Sequence, residues 1–150
     1  MDMQKNLFNP ELFSIKGELL ELRLIDTYEN VGGDLPFYWW DILLNGAEIG
    51  KISFRIGHSY HSYYNGNIGY EIDEPYRGHH YALLACRLVL RAARYHGINK
   101  LYLTCDYDNA ASYKTIEKLG AKLIEEVRPP EDYIYYHEGI KVHKIYELKI

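Results

Sequence analysis

Apolar and polar positions along the chain follow two rhythms, and the change from one to the other divides it. Leu20, Leu22 and Leu24, with Glu21 and Arg23 between them, repeat every second residue and predict a half-buried strand. Residues 27–35 turn polar and glycine-containing, so a loop is expected there. Asn45-Gly46 is the strongest hairpin signal, because both residues tolerate the left-handed backbone of a two-residue turn. Strands are predicted on either side of it. The second sets Ile52, Phe54 and Ile56 on one face and Ser53 and Arg55 on the other. A further turn at Asn65-Gly66 leads into a short strand at Ile68, Tyr70 and Ile72, and helices are expected only after this point.

Across residues 79–96 the spacing of Leu83, Cys86, Leu90 and Ala93 is helical. Arg87, Arg91 and Arg94 share the opposite, solvated face, and Gly97 is a natural stop. A strand is predicted over 101–105. A second helix opens near Asp108-Asn109 and closes at Gly120, with Ile116 and Leu119 on its buried side. Three extended segments end the chain, at 121–127, 133–136 and 141–148, with Pro129-Pro130 separating the first two. The order strands, helix, strand, helix, strands predicts a mixed α/β fold: one twisted mixed sheet of about seven strands with helices packed on it. The strand–helix–strand unit over 68–105 should cross over right-handedly, its two strands parallel.

A chain of 150 residues suits one domain with one core. Its net charge of −4 argues against nucleic acid as a partner. The apolar run at 83–86 is far too short to cross a bilayer, and the opening residues Met1 to Lys5 lack a secretion signal's basic-then-apolar layout. Cys86 and Cys105 lie in apolar periodic segments and read as core residues of a reduced, cytoplasmic protein. Sixteen tyrosines are unusual; a strand-rich protein accounts for many, since aromatics suit pleated surfaces. The tyrosine-rich stretch from 60 to 70 contains no lysine or arginine, which counts against base-stacking platforms.

The chemistry concentrates in Gly69-Tyr70-Glu71-Ile72-Asp73-Glu74-Pro75-Tyr76-Arg77-Gly78-His79-His80-Tyr81-Ala82. A strand ends, the chain turns, and a basic, glycine-containing loop opens directly into a helix. Unpaired N–H groups and the positive end of the helix dipole make such a junction an anion site. The residues fit neither the Walker phosphate loop nor the three-glycine dinucleotide fingerprint.

This stretch resembles the acetyl-CoA signature of the GNAT (GCN5-related N-acetyltransferase) superfamily, Arg/Gln-x-x-Gly-x-Gly/Ala after a strand. Arg77 fills the first position and Ala82 the last, while His80 stands where the family has glycine. A second block, Asn109-Ala110-Ala111-Ser112 followed by Glu117-Lys118-Leu119-Gly120-Ala121, is similar to the family's Asn-x-x-Ser/Ala helix and its Glu-Lys-Leu-Gly ending. Together the blocks cover about a third of the chain.

The resemblance implies a GNAT fold and transfer of an acetyl group from acetyl-CoA to a primary amine of a small molecule or a protein N-terminus. It implies cofactor contacts from Tyr70, Ile72, Arg77, Gly78, His79, His80, Tyr81, Ala82, Leu83, Asn109 and Ser112. The strand at 70–72 would splay from its neighbour at 101–105, with pantetheine between them and pyrophosphate on the amides of 78–82. A backbone amide near Ile72 would polarise the thioester carbonyl, and Asn109 would face the pantetheine arm. Glu71 is the first candidate for general base, with His58 and His61 behind it. The family's tyrosine, which protonates the departing thiolate, is Ile116 here; Tyr113, a turn earlier, is the substitute candidate. No metal is expected, for no cysteine or carboxylate cluster completes a site around the histidines. The family usually places helices between its first two strands, and the connection at 26–36 is too short for them, which leaves the acceptor open. A homodimer is compatible with the resemblance. A second reading of the same residues is a non-catalytic CoA-binding module with a degenerate site.

Overall fold

The computed structural model describes residues 7–29 and 31–150; Met1 to Lys5, read above for a signal, lie outside them. Among the described residues, eight strands form two sheets. The first has the order β1 (Ser14–Lys16), β2 (Leu20–Tyr28), β3 (Phe37–Leu44), β4 (Ala47–Arg55) and β5 (Ile68–Ile72), antiparallel throughout. The second consists of β6 (Lys100–Asp106), β7 (Lys122–Val127) and β8 (His143–Lys149), with β8 in the middle and antiparallel to both neighbours. The helices are α1 (Tyr60–Asn65), α2 (Tyr81–Tyr95) and α3 (Ala110–Leu119).

Local chemistry explains most of these boundaries. Asn45 and Gly46 take φ of 51° and 84°, the pair of left-handed residues that a tight β3–β4 turn needs. Helix α2 buries Leu83, Ala85, Cys86, Val89, Ala92 and Ala93 against the sheets and leaves Arg87, Arg91 and Arg94 exposed. It ends as anticipated: Gly97 has φ 73°, its N–H bonds to Arg94 and that of Ile98 to Ala93. Helix α3 is capped by the Asn109 side chain and closed by Gly120 at φ 106°.

The core under α2 takes Leu22, Trp40, Ile42, Ile52 and Phe54 from the first sheet and Leu101, Leu103, Tyr146 and Leu148 from the second. Because strand side chains alternate, the opposite face of the second sheet carries Tyr102, Thr104, Asp106, His143 and Ile145. Helix α1 and the β7–β8 connection cover it with aromatic rings: Tyr63 packs on Tyr102 at 5.1 Å, and Tyr133 on Tyr64 at 5.7 Å and on His61 at 6.1 Å. The clustered tyrosines therefore form a packing layer.

Several sequence expectations need correction. The expected loop at 27–35 starts later, since β2 runs to Tyr28. A helix precedes residue 72 after all: Ser59 caps α1, exchanging hydrogen bonds with Ser62 in a capping box. Helix α2 begins at Tyr81 and not His79, because His80 is left-handed (φ 63°, ψ 20°) and cannot continue a helix backwards. Segment 133–136 is a run of turns (Tyr133 N–H to Pro130, Tyr136 N–H to Tyr133), held by ring packing in place of strand pairing. No ladder joins the strands at 68–72 and 101–105, and this break divides the sheet in two. Among the described residues, the short connection between β2 and β3 holds one 3-10 turn, Val31–Gly33, and no α-helix. Among the described residues, no helix is long and apolar enough to cross a membrane.

Candidate active site

The site begins where β5 and β6 part. Asn67, fully buried just before β5, donates its backbone N–H to the Tyr102 carbonyl at 2.6 Å and accepts from the Tyr102 N–H at 2.9 Å through Oδ1. Its Nδ2 donates to the carbonyls of Arg55 and Gly57. One asparagine thus stands in for a rung of ladder, and beyond it the strands diverge. The register shows what the divergence exposes. Arg55 N–H bonds to Asn67 and Asp73 N–H to Ile49, so the odd-numbered β5 positions pair with β4. By antiparallel alternation, the N–H and C=O groups of Tyr70 and Ile72 point away from β4, toward the gap. The Ile72 carbonyl is met there by Arg77 Nε at 2.8 Å. Strand β5 therefore presents an open edge ready to receive an extended, amide-containing chain.

At the end of that edge the chain turns through Glu74–Tyr76 and reverses at two left-handed residues, Gly78 (φ 89°) and His80 (φ 63°). Helix α2 starts without a side-chain cap, so the amides of Tyr81, Ala82 and Leu83 lack intrahelical partners. A cavity of about 550 Å3 joins these parts. Tyr70, Glu71, Ile72, Tyr76, Arg77, Gly78, His80, Tyr81 and Ala82 line it from β5 and the turn; Asn109, Ala111, Ser112, Lys114, Thr115 and Lys118 line it from α3. Cations from both sides face it, and the helix dipole adds to them.

Of the residues singled out from the sequence, His79, Leu83 and Tyr113 do not line the cavity. The His79 ring packs at a tilt against Tyr81, and Leu83 turns its side chain into the core, leaving its amide at the helix start. The Tyr113 ring lies under Lys144 Nζ at 4.7 Å. Ile116 is buried in the core. Asn109 lines the cavity, but its Oδ1 is occupied in capping α3 through the Ser112 N–H at 3.2 Å. Glu71 is exposed, on the sheet face away from α2 and α3.

Tyr70 reaches across the gap, its hydroxyl 3.0 Å from Ser112 Oγ, and burial pushes its pKa up to about 12. Burial likewise raises Cys86 to about 12 and Cys105 to about 11, so both thiols stay protonated at neutral pH. His58 packs edge-on against Tyr102, and His61 Nδ1 accepts from the Ile134 N–H, so both serve the aromatic layer.

Lys114, Thr115 and Lys118 were not foreseen. They sit on the helix face shared with Ala111, at spacings of three and four, so helical phase from the Asn109–Ser112 block could have found them. Asn67 had no comparable signal.

Comparison with known proteins agrees with this geometry. The profile of the acetyltransferase (GNAT) domain family matches residues 17–122. No curated protein matches the sequence. Among solved structures, the RimL ribosomal L7/L12 alpha-N-protein acetyltransferase in complex with coenzyme A superposes with a TM-score of 0.70 at 18% identity, over 91% of this chain and 98% of that one. A putative ribosomal-protein-serine acetyltransferase from Vibrio cholerae gives 0.68 at 18% identity, over 95% and 100%. The microcin C7 self immunity acetyltransferase MccE, in complex with acetyl-CoA and AMP, gives 0.59 at 22% identity, over 76% and 61%. Likeness at these identities speaks to the fold, and the profile match speaks to descent. With an open strand edge, an uncapped helix start and a profile that spans both, this chain belongs to the GNAT acetyltransferase family.

Proposed function

We propose that the chain is an N-acetyltransferase that carries an acetyl group from acetyl-CoA to a primary amine. The observation that supports it is the single cavity in which the open edge of β5 meets the uncapped start of α2, with Arg77, Lys114 and Lys118 around it. Those cations and the amides of Tyr81, Ala82 and Leu83 suit the phosphates of CoA. The outward N–H and C=O groups of Tyr70 suit an amide of pantetheine, which would lie along β5 as a further strand.

Bound acetyl-CoA would supply the acyl group already activated as a thioester. The Ile72 N–H, fixed on the rigid edge, would donate to the carbonyl where negative charge develops. Glu71, solvent-exposed on the opposite face, would attract a cationic amine toward the gap. Tyr113 lies outside the cavity, so protonation of the thiolate by this residue is a minor route here. A thiol is a good leaving group (pKa near 8.5), which makes an acid helpful without being obligatory. One structural relative is named as an alpha-N-protein acetyltransferase of ribosomal L7/L12 and another as a microcin C7 self immunity acetyltransferase; a primary amine of either kind, protein N-terminus or small molecule, fits the reading.

The test is thiol release from acetyl-CoA with a panel of primary amines, with mass spectrometry of the products. Acetylated amine in step with thiol supports the reading. CoA binding with no product from any amine would replace it with a non-catalytic binding module.

A further inference from the structure

Tyr70 bridges the two walls of the cofactor cleft. Its backbone belongs to the open edge of β5, while its hydroxyl stands 3.0 Å from Ser112 Oγ and 3.4 Å from the Ser112 carbonyl on α3. Both residues line the cavity. The other hydroxyls of its lining are placed or committed elsewhere. Tyr76 and Tyr81 belong to the turn and helix start at the phosphate end, and Thr115 Oγ1 donates to the Ala111 carbonyl at 2.9 Å. The Tyr70 phenol and the Ser112 hydroxyl are therefore the O–H pair of the gap itself.

The surroundings of this pair are uncharged. Cys86 of α2 and Cys105 of β6 face the phenol, and burial raises their thiols to about 12 and about 11, so neither is ionised at neutral pH. Ser112 and Thr115 face it from α3. Burial sets the Tyr70 pKa at about 12, although the hydrogen bonds to Ser112 and Thr115 pull the other way. A thiol has a pKa of about 8.5, so this phenol keeps its proton when a thiolate stands opposite. It can donate a hydrogen bond to the anion without giving the proton up. In a site of low dielectric, a bond of that kind to a charged acceptor is stronger than in water.

We propose that the Tyr70 hydroxyl is the hydrogen-bond donor that receives the departing sulfur, with Ser112 Oγ as the positioning group that donates to the phenol oxygen. The assignment rests on the acetyl-CoA reading above. With a pantetheine amide at the Tyr70 backbone and the thioester carbonyl at the Ile72 N–H, the sulfur joining them falls between these two residues, where Tyr70 and Ser112 meet. The lone pair of the neutral amine forms the C–N bond at the thioester carbonyl carbon. The C–S bond breaks with its electron pair on sulfur, and the Tyr70 O–H holds the thiolate. The surplus proton on nitrogen leaves to solvent, from which the thiolate later takes one, so amine and thioester yield amide and thiol. Tyr70 ends with the proton it began with. The family's helix tyrosine, replaced here by the buried Ile116, gives its proton away; this phenol comes from the strand and acts by hydrogen bonding alone.

The probe is CoA itself, its bound thiol titrated by the ultraviolet absorbance of the thiolate. Tyr70→Phe keeps the ring and should raise the pKa of that bound thiol by about one to two units over wild type, the share of a hydrogen bond to a charged group. CoA affinity at neutral pH, where the thiol is protonated, should stay unchanged. With an amine that the panel shows to be acetylated, the variant should lose about ten- to a hundredfold in kcat at unchanged KM. Ser112→Ala should lose about three- to tenfold, with a smaller rise in the thiol pKa. The wild-type rate should show no alkaline fall up to about pH 10, because the phenol stays protonated there. If Tyr70→Phe does not fold, Ser112→Ala decides by the same titration. No CoA binding by the wild type would refute the acetyl-CoA reading and this assignment together. CoA bound with the same thiol titration in wild type and variant overturns the assignment alone. So does an alkaline fall near pH 10 that Tyr70→Phe abolishes, since the phenol would then be giving up its proton.

Discussion

Replacing His80 by glycine isolates the strain at the anion site. This residue occupies the position where the family signature has glycine, and its φ of 63° shows why: the backbone must reverse there to start α2 with its amides facing the cavity. A left-handed conformation costs an ordinary L-residue roughly 1–2 kcal/mol, and histidine is among the residues that tolerate it better, so about 1 kcal/mol applies. Glycine removes that cost but gains freedom in the unfolded chain, which returns about 0.4–1 kcal/mol. His80→Gly alone should therefore change stability little, by about 0.5 kcal/mol in the stabilising direction.

The sharper comparison is with His80→Ala, which deletes the same imidazole and keeps the strain. Glycine should exceed alanine by about 1 kcal/mol, or about 2–4 °C in Tm for a domain of this size. The His80 side chain is exposed, so both variants should bind CoA within threefold of wild type by calorimetry. Two results would refute the reasoning: alanine as stable as glycine, or a tenfold gain in CoA affinity on glycine substitution. The second would mean that the imidazole obstructs the phosphates, as in a degenerate binder.

Four further substitutions or conditions probe the frame. Gly50→Ala should cost roughly 3 kcal/mol in chemical denaturation, since its Cβ would collide with the Glu71 carbonyl and lie 3.0 Å from Ile72 Cα, and it should weaken CoA binding; an unperturbed protein would mean β5 yields easily. Asn67→Ala strands the carbonyls of Arg55 and Gly57 and the N–H of Tyr102, for a loss of about 3 kcal/mol; a loss under about 1 kcal/mol would show that water replaces it. Tyr113→Phe should lose less than tenfold in turnover, and a larger loss with acetyl-CoA binding unchanged would make Tyr113 the acid. Burial lowers the pKa of both His96 and His143, so the unfolded chain binds their protons more readily; thermal stability should decline as pH falls below about 6.5, and a flat profile from 6.5 to 5 would contradict their burial.

What the sequence disclosed was local. The hairpin at Asn45-Gly46, the phase of α2 and the ends of α3 depend on residues within a turn or two of one another, and each appears where its signal lies. The cavity could be outlined from Arg77, Gly78, Tyr81, Ala82, Asn109 and Ser112 for the same reason: the junction and the α3 start are contiguous motifs. Long-range effects were hidden. Nothing near Asn67 announces that its side chain will replace a rung of β6, and so the division into two sheets could not be read. Tyr133 to Tyr136 have a strand's composition, yet rings from α1 hold them in turns. Asp106 and His143 meet only through the β6–β8 register, while the histidines that drew attention in the sequence, His58 and His61, pack against tyrosines.

The most direct test of the account is thermal unfolding of the wild-type protein with and without CoA. A ligand at about a hundred times its Kd stabilises by roughly 2.7 kcal/mol, which in a domain of this size raises Tm by about 5–10 °C. Such a rise is predicted with CoA and with acetyl-CoA, and it should shrink when Arg77, Lys114 and Lys118 are replaced by alanine together. No shift at millimolar CoA would contradict the assignment of the cleft.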